Sequence, residues 1–161
     1  MSLKPLLQEL YRRRDCVVAP AFGSPRLEEG RMLTPDLEEF YRLCGGVEMF
    51  AGSPHPVRIV GPMDFVPADP VIHGRPVHRS PTAAWYVIVR RANDAFLTID
   101  LGAEHPGRCY DSAWDRHGVA GNCPIVARTF TDLVQTFVAR ESGAPWWDDP
   151  AWPRLGDAFD E

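Results

Sequence analysis

Residues 33–46 read Leu33-Thr34-Pro35-Asp36-Leu37-Glu38-Glu39-Phe40-Tyr41-Arg42-Leu43-Cys44-Gly45-Gly46, and both ends of a helix are written into them. Thr34 is a residue type whose side-chain oxygen accepts from the unpaired amides of a first helical turn. Pro35 stands at the first helical position, where a missing N–H costs nothing. Asp36 adds negative charge at the positive pole of the helix dipole. Leu37, Phe40, Tyr41 and Cys44 then recur at i, i+3, i+4 and i+7, one apolar stripe that needs a core to face. Gly45-Gly46 supplies the left-handed conformation that ends a helix. Glu38 and Glu39 read as a solvated helix face, and Glu28-Glu29 as loop charge.

Working outward, Leu3, Leu6, Leu7, Leu10 and Tyr11 fall at helical spacing, with Arg12, Arg13 and Arg14 at the negative pole of that opening helix. A loop follows through Pro20, Gly23, Pro25 and Gly30. After the central helix the period changes. Val57-Arg58-Ile59-Val60 is a short strand, followed by a Pro-rich passage from Pro62 to Pro81 that carries His73 and His78 as solvated side chains. Trp85–Arg90 and Ala95–Asp100 are β-branched and aromatic runs joined by Arg91-Ala92-Asn93-Asp94, a hairpin signature. Gly107-Arg108-Cys109-Tyr110 adds an adjacent strand. A last helix opens at Thr129 with Asp132 three residues on, close to a capping box. It buries Phe130, Leu133, Val134, Phe137 and Val138 and is closed by Ser142-Gly143 and Pro145. The order helix, helix, meander, helix predicts an α+β fold: a single domain, mainly antiparallel sheet with amphipathic helices packed against it.

The chain has 161 residues, 45% of them hydrophobic, which suits one domain around one core. Five Trp and eight Phe demand burial and exclude global disorder. No apolar run approaches the roughly 20 residues of a membrane helix, and Met1-Ser2-Leu3-Lys4-Pro5 lacks a signal peptide's apolar stretch. The expectation is a soluble, cytoplasmic protein without a membrane partner. A net charge of −5 argues against direct nucleic-acid binding and for a basic or neutral partner. Cys16, Cys44, Cys109 and Cys123 are irregularly spaced, contain no C-x-x-C, and are expected as reduced, mostly buried thiols.

The Leu33–Gly46 helix, the Trp85–Asp100 hairpin, Gly107-Arg108-Cys109-Tyr110 and Ala127-Arg128-Thr129-Phe130-Thr131-Asp132-Leu133 together resemble the SUKH superfamily. That family's pattern is a Leu-Pro pair, a helix ending in Phe or Tyr, Asn-Gly-Gly, a hairpin, a Gly-x-Val-Tyr strand and an Ala-x-Ser-Phe helix. The resemblance covers residues 30–140 in order. It departs at Cys44 where Asn is usual, at Cys109 for an aliphatic residue and at Thr129 for Ser. Residues 1–28 form an N-terminal helix and loop, 29–141 the SUKH-like core, and 142–161 a Trp-rich acidic tail outside the resemblance, all in one domain. What the resemblance implies is a binding protein. Many bacterial members look like immunity proteins that neutralise a cognate toxin, and eukaryotic relatives regulate cell-wall synthesis.

For chemistry, the sharpest constellation is His105, Cys109, His117 and Cys123, four zinc-ligand types within 19 residues. The preferred reading leaves them without metal, because Cys109 occupies an apolar strand position that points it into the core. Ser53 in Gly52-Ser53-Pro54-His55 is no nucleophile elbow, and no phosphate loop or dinucleotide fingerprint is present. Neither a cofactor nor an enzymatic activity is expected. The tail offers a candidate partner-binding patch of Trp146, Trp147, Asp148, Asp149, Trp152 and Asp157. There, aromatic anchors would dominate the interface energy and an acidic rim would steer a basic partner. The competing reading docks these tryptophans onto the fold as a tether. The resemblance thus points to an immunity protein that blocks one toxin domain stoichiometrically; the sequence leaves its oligomeric state open, with a monomer favoured. The runner-up is an intracellular regulatory or scaffold protein of the same fold, and third comes a small hydrolase or metal-binding protein.

Overall fold

The computed structural model describes residues 2–75, 77 and 79–160; the His78 expectation lies outside them. Its centre is one sheet whose strands lie in sequence order: β1 (Val17–Val18), β2 (Val47–Met49), β3 (Val57–Ile59), β4 (Trp85–Arg91), β5 (Phe96–Asp100), β6 (Cys109–Asp111) and β7 (Ile125–Ala127). Every neighbouring pair is antiparallel. Four helices accompany it: α1 (Lys4–Arg12), α2 (Pro35–Leu43), α3 (Ala68–His73) and α4 (Phe130–Val138). This is the α+β architecture expected. The predicted hairpin is β4–β5, with Trp85 opposite Asp100 and Arg90 opposite Phe96. Its register shifts between Val87 and Val89, and the intervening Ile88 carbonyl accepts from Val60 N–H at 3.0 Å.

Alternation along β4 sends successive side chains to opposite faces. Tyr86 stacks on Phe65, which meets Tyr41 of α2 edge-on. Tyr41 in turn adjoins Phe40, which packs against Phe130 of α4. Trp85, on the other face, stacks on Tyr110 and Phe159 and meets His117 edge-on. Both faces of the central strands are therefore covered, which is why β4 and β5 read as nearly continuous apolar runs.

Several local expectations are corrected. The Thr34 hydroxyl does not accept from the first turn of α2; it donates to Asp36 Oδ1 at 2.6 Å. Asp36 is the real connector. Its Oδ1 accepts from Leu37 N–H, and its Oδ2 accepts from both the amide and the hydroxyl of Thr131, at 2.9 and 3.0 Å, tying α2 to the first turn of α4. The glycine pair does not end α2 by a left-handed cap, since Cys44 is already extended. Gly45 and Gly46 instead permit close backbone approach. A Cβ on Gly45 would lie 2.5 Å from the Pro20 carbonyl oxygen, and one on Gly46, at φ +113, 2.9 Å from that of Ile59.

Glu39, expected on a solvated face, accepts from the Leu3 amide and the Ser2 hydroxyl and so holds the start of α1. Tyr11 is 60% exposed and not part of the α1 stripe, which buries Leu3, Leu7 and Leu10. His73 belongs to α3 and not to a loop, though it is exposed. At α4 the expected cap is present: Thr129 Oγ1 accepts from Asp132 N–H at 3.0 Å. That helix ends at Val138, short of Gly143. Gly143 serves close approach, since a Cβ there would overlap the His55 carbonyl oxygen.

Candidate partner-binding surface

The segment after α4 is laced onto the domain. Trp146 is buried edge-on against Phe137, with Trp147 edge-on against it in turn. The Trp147 Nε1–H donates to Asp111 Oδ2 at 2.8 Å, and the Arg91 guanidinium lies 5.1 Å above the Trp147 ring. Arg116 Nη1 bridges Asp111 at 2.8 Å and Asp148 at 2.9 Å. Burial would push the Arg116 guanidinium down, but Asp148 and Asp111 outweigh it and hold the group firmly cationic. The chain then runs along the outer edge of β7, where Ile125 N–H donates to the Gly156 carbonyl and Ala158 N–H to that of Cys123. It finishes with Phe159 on Trp85.

Within this lacing the six candidate residues separate by role. Trp146 and Trp147, 1% and 7% exposed, form the footing. Trp152 is 37% exposed, with the Arg140 guanidinium 5.9 Å from its ring centroid. Asp148 faces solvent beside Arg116, and Asp149 faces solvent while accepting from Ala151 N–H. Asp157 is half-buried and accepts from the amides of Gly121, Cys123 and Phe159. Burial raises its pKa, but those three donors outweigh it and hold the carboxyl below the usual range. Between tail and body lies a cleft of about 550 Å³ whose walls include Arg116, Ile125, Trp147, Asp148, Arg154 and Asp157.

Sequence reasoning passed over a residue close along the chain to one of that cleft's walls. Trp114, two residues from Arg116, is 78% exposed, against the expectation that the tryptophans are buried. Its signal was the polar company of Ser112-Ala113-Trp114-Asp115-Arg116, which lacks the alternation that would carry it into a core.

The four zinc-ligand types are not brought together among the described residues. His105 is exposed. The Cys109 thiol is buried against the Gly107 carbonyl and the Cys123 thiol against that of Asp111. Burial pushes Cys123 up to about 12 and Cys109 well above its ordinary value, so neither supplies a thiolate. His117 turns elsewhere, its Nε2 at 2.7 Å from Asp69 Oδ1 and its Nδ1 at 3.0 Å from Ser112 Oγ. Asp69, His117 and Ser112 thus form an Asp–His–Ser chain, but with the two ring nitrogens exchanged relative to a hydrolytic triad. Ser112 is also fully buried and bonded to Thr98, so no substrate carbonyl reaches its hydroxyl.

The chain is 34% identical over 160 residues, 99% of its own length and 97% of the relative's, to immunity protein YokJ of Bacillus subtilis (strain 168). The chain belongs to the YokJ family of immunity proteins. Neither a family model nor a solved structure gives a significant match. Likeness to YokJ runs through the tail as well as the core, whereas the motifs in the sequence stop near residue 140. The Trp-rich segment is thus part of the unit that YokJ and this chain share.

Proposed function

We propose that this chain is a SUKH-type immunity protein that works in the cytoplasm. It would bind one cognate toxin domain as a monomer, block it by occupancy, and use neither cofactor nor chemical step. The observation carrying this reading is the full-length similarity to an immunity protein. The contact surface we assign is the tail-side face: Trp114 and Trp152 as exposed aromatic anchors, with Asp148 and Asp149 beside them. Trp146, Trp147 and Asp157 hold that face in shape. Exposed tryptophans on a rigid footing lose little conformational entropy on binding, and surface carboxylates accelerate encounter with a cationic partner.

The test is co-expression with the genes that flank this one, any toxin domain among them being the partner sought. Rescue of growth and a co-purifying complex of equal stoichiometry are the expected results. Trp114→Ala should weaken toxin affinity by at least about tenfold, the loss of a minor hot spot, while leaving unfolding unchanged. Full rescue by a chain lacking both Trp114 and Trp152 would move the contact elsewhere. Capture of cell-wall or signalling proteins, with no rescue, would replace the immunity reading by the regulatory one.

A further inference from the structure

Asp69 and His73 stand one turn apart on α3, so their side chains rise from the same side of that helix. His117 approaches them from the loop after β6, its Nε2 2.7 Å from Asp69 Oδ1. One ligand-type atom from each of the three lies within 4.8 Å of the other two. A tetrahedral ion bound at about 2.0–2.2 Å by nitrogen and oxygen holds its donors about 3.3 Å apart. The hydrogen-bonded Asp69–His117 pair, at 2.7 Å, would open slightly around an ion, and the exposed His73 ring, its centroid 5.2 Å from that of His117, already brings its donor within 4.8 Å of both.

We propose that Asp69, His73 and His117 form a binding site for a divalent transition-metal ion of the zinc type, which staples α3 to the loop following β6. Two imidazoles and one carboxylate are a donor set for such ions; calcium and magnesium take oxygen cages. The surroundings are already those of a ligand shell. Ser112 engages His117 Nδ1 and is itself held by Thr98 at 2.8 Å, which leaves Nε2 as the ligating nitrogen once Nδ1 carries the proton. Thr82 donates to Asp69 Oδ1 at 2.5 Å and is backed by Ser80. Trp85 packs edge-on against the His117 ring and limits its rotation. Asp69 and His117 are buried, while His73 is exposed, so an ion has an entry path and a solvent-side position for water. The assignment is independent of the toxin reading.

The experiment strips the full-length chain with a chelator and titrates it with zinc alone, by calorimetry and by thermal unfolding. We expect saturable binding of one ion per chain and a rise in the unfolding midpoint, since an ion that binds only the folded state stabilises it. His73→Ala, a change at an exposed side chain, should keep the metal-free midpoint and lose at least about tenfold in zinc affinity. His105→Ala should bind as the parent does. No saturable binding, binding that survives His73→Ala undiminished, or binding lost with His105→Ala would each overturn the site. Asp69 and His117 would then stand as a hydrogen-bonded pair only.

Discussion

Trp147 shows how far one indole N–H can reach. Its bond to Asp111 places an acceptor that already serves Arg116 under the first turn of the tail. Trp147→Phe keeps an aromatic ring but removes the donor and part of the buried indole, so it should cost at least as much as a lost hydrogen bond to a charged group, about 1.5–3 kcal/mol. Urea unfolding should read that loss. Asp148→Ala removes the exposed arm of the same network and should cost under about 1 kcal/mol, as solvent-screened bridges do. Equal costs for the two would mean that the indole N–H is not what anchors the tail. Neither partner of this network was legible beforehand. Asp111 and Arg116 are separated from Trp147 by 36 and 31 residues, and no periodic pattern encodes an indole–carboxylate pair across such a span.

At the scale of elements, the parts that announced themselves were those with a full period to display. Nine-residue helices with end signals, and the β4–β5 hairpin with its aromatic runs, were readable. Strands β1, β2 and β7, of two or three residues, were not; β3 and β6 are as short and were read only because a β-branched run marks the one and the preceding hairpin places the other. Helix α3 was hidden by the prolines around it, including Pro70 inside its first turn, where proline is tolerated. The candidate site was half legible for the same reason: the tail's composition marked it, but the folding of Trp146 and Trp147 inward and the exposure of Trp114 are decided by tertiary partners. The helix joints also yield a comparison. Thr129→Ala removes a true cap of α4 and should cost about 1 kcal/mol. Asp36→Ala removes acceptors for both α2 and α4 and should cost more, about 1–3 kcal/mol. Thermal unfolding of the two variants ranks them, and the reverse order would deny Asp36 its role as the joint between helices.

For the whole molecule, Asp157 links tail integrity to acidity. Its folded-state pKa lies below its ordinary value because three backbone amides outweigh burial. A depressed carboxyl contributes stability that is present above its unfolded pKa, about 3.9, and is lost as pH falls through the folded value. Unfolding of the parent and of Asp157→Asn should therefore differ at pH 7 and converge as pH drops below about 4. A gap between them that stays constant down to pH 2 would locate the acid sensitivity in another group.

The strict succession β1 to β7 also governs how this molecule responds to force. Each strand's neighbour in space is its neighbour along the chain, and the two outermost strands sit nearest the two ends. A pull on those ends loads the ladder's bonds one after another, as in opening a zip, and never shears many of them together. The tail on β7 and helix α1 with β1 are the first pieces to come away. An unfolding motor or a narrow pore would thus meet a train of steps, the first of them at the joints that fasten α1 and the tail to the domain.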